Sequence, residues 1–175
     1  MRTLERLAST PAPISSIISG DILAGFVYGS AISSVLLVVG VAALGTRVVH
    51  PTAMAYDILL GAVCFSALGS LLSSPPTDNP SNVMMLSNMV RLPLLFVGGI
   101  FVPVEGMPGW GRALAFVSPL TYSCDLARHS LSGEGALPLP WDMVALSAFA
   151  LAFVVVGIEL HKRNIPKRLS SREGI

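Results

Sequence analysis

Residues 141–160, W-D-M-V-A-L-S-A-F-A-L-A-F-V-V-V-G-I-E-L, decide the fold. Only Asp142 and Glu159 are charged, one near each end. Wound as an α-helix at 1.5 Å per residue, the run is about 30 Å long, the thickness of a bilayer's hydrocarbon core. A helix on the surface of a soluble protein keeps one polar face, and this one keeps none. Three earlier runs, 22–45, 53–72 and 83–104, share the property. Over the 175 residues, 53% are hydrophobic and 12% charged, about half the roughly 25% charged share of an average soluble domain. Mean hydropathy is +0.72. Too little polar surface remains to wrap a water-exposed globule, so the sequence predicts an all-α, polytopic membrane helix bundle with four spans.

Orientation follows from the basic residues, which stay on the cytoplasmic side. Arg2 and Arg6 flank the first span, and Lys162, Arg163, Lys167, Arg168 and Arg172 follow the last, whereas the short loop after the first span has only Arg47. Four spans return the chain to its starting side, so both termini are expected in the cytoplasm, with 161–175 as a basic tail. Pro75, Pro76 and Pro80 mark a firm helix break between the second and third spans. Residues 1–19 place Leu4 and Leu7 on one face and break at Pro11 and Pro13, the pattern of a short amphipathic helix lying on the membrane before the chain bends into the first span.

Between the last two runs, residues 105–140 hold apolar pieces too short to span, interrupted at Pro103, Pro108 and Pro119. This reads as a re-entrant helical segment. Leu120, Cys124, Ala127 and Leu131 form its apolar stripe, while Asp125 and Arg128, three apart, can pair on the polar side. Trp110, Tyr122 and Trp141 are expected at the outer interface as an aromatic belt. Gly25, Gly29 and Ser33, and likewise Ala62, Ser66 and Ser70, recur at four-residue spacing, which lets helix backbones approach closely within the chain. Arg91 lies too near the end of its run for the residues after it to cross a membrane alone. It therefore sits inside the span, either snorkelling to the headgroups or facing a polar seam with Asn88 as a possible pathway residue.

Several function classes have no support in the sequence. A net charge of +1 without a basic patch gives nucleic acid no electrostatic purchase. There is no phosphate-cradling G-x-x-x-x-G-K-[ST], no H-E-x-x-H and no G-x-S-x-G. His50, His129 and His161 are scattered, and Cys64 and Cys124 lack partners at ligand spacing, so neither a catalytic group, a metal site nor a cofactor is expected.

Three stretches resemble one family: T-L-E-R-L-A-S-T-P at 3–11, G-G-I-F-V-P followed by M-P-G-W within 98–110, and S-P-L-T-Y-S-C-D-L-A-R at 118–128. The chain is similar over nearly its whole length to type 2 ABC exporter permeases, in particular the daunorubicin-resistance and polysaccharide or nodulation-factor export branch. The resemblance implies a transport subunit without bond chemistry of its own, exporting a drug, lipid or glycan-like substrate from the cell through the membrane. A separate ABC ATPase subunit and a second permease copy are the implied partners, besides membrane lipid. It further implies that Thr3, Leu4, Glu5 and Arg6, on a cytoplasmic coupling helix, touch the ATPase, and that Pro103, Pro108, Trp110, Pro119 and Tyr122 shape an outer gate. Family members carry six spans, two ahead of the coupling helix. The resemblance therefore implies a start lost or misassigned, or a second polypeptide that supplies the pair. Gly20 is followed by Asp21 where the family often has lysine. The alternative function is a non-transporting membrane subunit or truncated permease fragment that needs a partner polypeptide.

Overall fold

The computed structural model describes residues 14–73 and 80–170. Among them the order is α1 (Ile14–Leu44), α2 (Pro51–Leu72), α3 (Pro80–Val97), a 3-10 turn (Val104–Gly106), α4 (Gly109–Phe116), α5 (Pro119–Ser132) and α6 (Leu139–Ser170), with no strand. The chain is thus an all-α, polytopic helical bundle. Proline opens α2, α3 and α5, where its missing N–H would be unpaired in any case. Gly133 ends α5 in the left-handed conformation, φ 78°, and returns its N–H to the His129 carbonyl at 3.1 Å.

Three stretches are long and apolar enough to cross a membrane: Ser19–Ala43, Pro51–Leu72 and Leu139–Leu160. The third run of the sequence reading is interrupted. Its helix stops at Val97, and the apolar part, Ser81–Val97, covers about 26 Å. The cause is local. Gly99 takes φ 81°, a left-handed conformation that ends helices, and Pro103 then fixes an extended approach to the 3-10 turn. Inside α3, Pro93 cannot donate the hydrogen bond that a helix needs at that position. At the other end of the chain, α1 runs unbroken from Ile14, so residues 14–19, expected in the surface segment, are continuous with the span. The breaks expected at Pro11 and Pro13 lie outside the described residues.

Helix α2 is the centre of the bundle, touched by α1, α5 and α6. It presents small residues on two sides. Gly61, Cys64, Ala67 and Ser70 are buried at every third position. On the side toward α1, the Ser66 hydroxyl donates to the Ile22 carbonyl at 2.9 Å, and a side chain at Gly25 would run into Ser66. A methyl at Gly29 would lie 3.3 Å from the Ala62 Cβ. The two small-residue stripes read from the sequence therefore meet each other at Gly25 and Ser66 and at Gly29 and Ala62, and they pack within the chain. In lipid this close approach gains dispersion contact where no hydrophobic effect draws helices together.

The core lies where α2, α5 and α6 converge: Cys64, Tyr122, Leu126, Leu146 and Ala150, flanked by Tyr56, Phe149 and Phe153. Tyr56 ties α2 to α6 through its hydroxyl, 2.6 Å from the Ser147 Oγ and 3.2 Å from the Met143 carbonyl. By contrast α1, away from its contact with α2, exposes apolar side chains, Leu23, Val27, Tyr28, Val35 and Leu36 among them. α3 does the same with Met84, Met85, Met89 and Phe96. These are surfaces for lipid or for other transmembrane helices.

Candidate functional site

Backbone that leaves helical geometry inside a bundle needs partners for its N–H and C=O groups, because lipid offers none. Helix α5 supplies them from successive turns. Thr121 Oγ1 donates to the Ala115 carbonyl at 2.7 Å and the Tyr122 hydroxyl to the Phe116 carbonyl at 2.8 Å, closing the end of α4. One turn on, the Asp125 carboxylate accepts from the backbone N–H groups of Ala136 and Leu137, each at 2.8 Å, and so holds the loop that leads into α6. A further turn on, Arg128 Nη2 donates to the Gly99 carbonyl at 2.6 Å, where Gly99 is buried just past the end of α3. Arg112 on α4 repeats the device, reaching the Glu105 carbonyl at 2.8 Å and the Val104 carbonyl at 3.4 Å. S-P-L-T-Y-S-C-D-L-A-R is, in physical terms, one helix whose side chains satisfy the irregular backbone around it.

One expectation is corrected by this arrangement. Asp125 and Arg128 do not pair with each other, because each serves a backbone group. The apolar stripe of α5 is its less buried side. The buried side is Thr121, Tyr122, Asp125, Leu126 and Ser130, while Leu120, Cys124 and Ala127 are half-buried and Leu131 is exposed. The groups that need hydrogen bonds lie inside the bundle, so the polar side turns in and the apolar stripe turns out.

Of the three expected belt aromatics, Trp110 and Trp141 are exposed, at 72% and 62%. Tyr122 is instead buried in the core, its ring 5.9 Å from that of Phe149. Burial, with the Asp142 charge adding to it, raises the Tyr122 phenol above its ordinary range and keeps it an O–H donor. Burial likewise pushes the Cys124 thiol up to about 11, with Asp57 adding to it, so the thiol stays protonated and inert. Pro103 and Pro108 stand immediately before the 3-10 turn and α4, and Pro119 is the buried first residue of α5. These residues together bracket the segment between α3 and α6. Arg91 is apart from them, exposed on α3. Thr3, Leu4, Glu5 and Arg6 lie outside the described residues.

Two cavities flank α5. One, of about 140 Å³, is lined by Gly99, Glu105, Arg112, Asp125, Arg128 and Leu137 among others. The second, of about 610 Å³, runs between α1 and α2 and reaches Asp57 and Ser123. Arg91 lines neither. Asp57 on α2 accepts a hydrogen bond from the Ser123 hydroxyl of α5 at 2.6 Å. Its link to α5 is tertiary and leaves no trace in local pattern.

Sequence reasoning also misses a grouping of potential ligands. Asp125, His129 and Asp142 bring one ligand atom each to within 4.8 Å of one another. The sequence signal was Asp125 and His129 four apart on one helical face. Asp142 joins them only because the loop 133–138 folds α6 back against α5.

Comparison with known proteins finds sequence similarity to transport permeases. The model of the family described as ABC-2 type transporter matches residues 1–131. The inner membrane transport permease YadH of Escherichia coli strain K12 is 25% identical over 163 residues, covering 93% of this chain and 63% of the relative. The daunorubicin resistance ABC transporter permease protein DrrB1 of Streptomyces coeruleorubidus is 29% identical over 156 residues, covering 87% of this chain and 52% of that protein. The chain thus spans between half and two thirds of the length of these relatives. No solved structure matches it.

Proposed function

Because the chain belongs to the ABC-2 type transporter family, we propose that it is a membrane-spanning permease subunit of an ABC exporter. In this reading it moves a drug, lipid or glycan-like substrate out of the cell by alternating access. A separate ATPase subunit drives the cycle, and a second permease copy completes the pathway. The observation that carries the proposal is the family match over residues 1–131, which spans the small-residue packing of α1 on α2 and most of α5. The proposal extends to orientation, with both termini cytoplasmic, and to roles. Thr3, Leu4, Glu5 and Arg6 contact the ATPase, Pro103, Pro108, Trp110, Pro119 and Tyr122 shape the outer gate, and Arg91 faces the pathway after assembly.

The rigidity of the segment between α3 and α6 supports a gating role. Its backbone is fastened to α5 at Gly99, Ala115, Phe116, Ala136 and Leu137, so displacement of α5 carries the whole segment with it. Nucleotide closure of the ATPase pair, transmitted through the coupling segment, would then switch the bundle between two packings. The test is co-purification with a candidate ABC ATPase subunit co-expressed with this chain, with any further spans supplied, followed by a screen for compounds that stimulate ATP hydrolysis. Retention of the ATPase and substrate-dependent stimulation are expected. An assembled complex whose hydrolysis no drug, lipid or glycan alters, and which moves none of them into vesicles, would favour the non-transporting subunit instead.

A further inference from the structure

We propose that Asp125, His129 and Asp142 form a divalent-cation site of the zinc type at the junction of α5 and α6. The first observation is geometric: two carboxylates and an imidazole converge within 4.8 Å. Asp125 and His129 stand one turn apart on α5, and Asp142 lies in the first turn of α6. The second observation is independent of that proximity. Asp142 is fully buried, and neither of its carboxylate oxygens has a hydrogen-bond partner, although the His129 Nε2 stands 4.0 Å from one of them. A buried carboxylate with both oxygens unpaired is costly unless a cation or a proton meets it.

A proton shared between the two acids would satisfy a single oxygen of Asp142, as would a singly coordinated metal ion; the third convergent donor, the His129 imidazole, favours the metal. The Asp125 oxygens each already accept a backbone N–H, which fixes that carboxylate toward the junction while leaving each oxygen a lone pair. Those two N–H donors serve as the outer support that orients a metal-binding carboxylate. His129 Nε2 lies 2.6 Å from the Leu137 carbonyl. Moving the imidazole proton to Nδ1 frees Nε2 to bind a metal and leaves the Leu137 carbonyl oxygen close by as a fourth ligand. One nitrogen and several oxygens suit Zn²⁺ better than Mg²⁺ or Ca²⁺, which prefer oxygen alone. Tetrahedral zinc places its ligand atoms about 3.3 Å apart, so side-chain rotations of about 1 Å close the site.

The ion would join the start of α6 to α5, and its effect would be to lock the segment between α3 and α6. The test uses the full chain, purified in detergent with chelator and then dialysed free of it, and Zn²⁺ itself as the probe. Binding is read by competition with a zinc-sensitive dye and by the shift in thermal unfolding. About one Zn²⁺ per chain and a raised Tm are expected, with no shift from Mg²⁺ or Ca²⁺ at equal concentration. Asp142→Asn and His129→Gln should each weaken binding by about 10- to 100-fold. Asn and Gln keep shape and polarity, and either variant alone is decisive if the other fails to fold. The proposal is overturned if the wild-type chain takes up no zinc, or if a folded variant binds zinc as tightly as wild type. It is equally overturned if wild type ignores zinc while Asp142→Asn unfolds at a higher temperature, which would assign the pair to a shared proton.

Discussion

Tyr122→Phe and Thr121→Val remove one hydroxyl each from adjacent residues, yet the structure assigns them different costs. Both hydroxyls donate to carbonyls at the end of α4, at 2.8 and 2.7 Å, and both residues are buried. The difference lies in what remains. The Ala115 carbonyl also accepts from the backbone N–H of Ser118 at 2.9 Å, so losing the threonine hydroxyl leaves it with a partner. The Phe116 carbonyl is held by Tyr122. Thr121→Val should therefore cost about 0.5–1.5 kcal/mol, the net worth of one hydrogen bond, whereas Tyr122→Phe should cost about 1–3 kcal/mol because an acceptor is left unmet. The Phe ring keeps the stacking against Phe149, which removes packing loss from the comparison. Equilibrium unfolding of the purified chain in mixed micelles measures both variants under one condition. A cost for Thr121→Val equal to or above that of Tyr122→Phe would refute the account of how α5 closes α4.

Other perturbations test separate parts of the fold. Gly25→Leu pushes a side chain into Ser66 and should destabilise the α1–α2 contact by about 1–3 kcal/mol, seen as a lower unfolding midpoint in detergent. Arg128→Met leaves the Gly99 carbonyl without its donor, at about 1.5–3 kcal/mol, and should speed hydrogen exchange around 98–103, with Arg128→Lys restoring part of the protection. Glu5→Arg should weaken pull-down of the ATPase at low and moderate salt without lowering membrane insertion; undiminished capture would remove the coupling role proposed for 3–6. Ser171→Cys should resist an impermeant maleimide in intact cells and react after permeabilisation, as a cytoplasmic tail requires.

The membrane bundle was legible because its signal is local. An apolar run such as 141–160 names a span whatever it packs against, and small residues at 25, 29, 62 and 66 name a close helix contact. Glycine at 99 was equally visible in the sequence, but reading it as the end of α3 required knowing that Arg128 waits there to take its carbonyl. Which side of α5 is buried could not be read from pattern for a more general reason. Where water surrounds a fold, amphipathic pattern assigns apolar residues inward. Where lipid is outside and irregular backbone is inside, the assignment reverses, and Asp125 becomes more buried than Leu131. The grouping of Asp125 and His129 with Asp142 was beyond local pattern altogether, since it depends on how one loop of the chain turns.

The manner in which α5 grips its neighbours also makes mutational tolerance one-sided. Its side chains hold carbonyls and N–H groups, which every residue other than proline carries alike, at Glu105, Ala115, Phe116, Ala136 and Leu137 or through Arg112 on α4. Exchanging the exposed side chain at Ala136 alters nothing that α5 holds, whereas Ala115 is fully buried and Leu137 packs on the core. Exchanging Thr121, Tyr122, Asp125 or Arg128 removes a contact that no substitution elsewhere can restore. A saturation scan of residues 98–140 should accordingly find intolerance densest on one fourteen-residue helix, with Gly98, Gly99, Ala115 and Gly135 as fixed points outside it and the exposed positions free to drift in sequence.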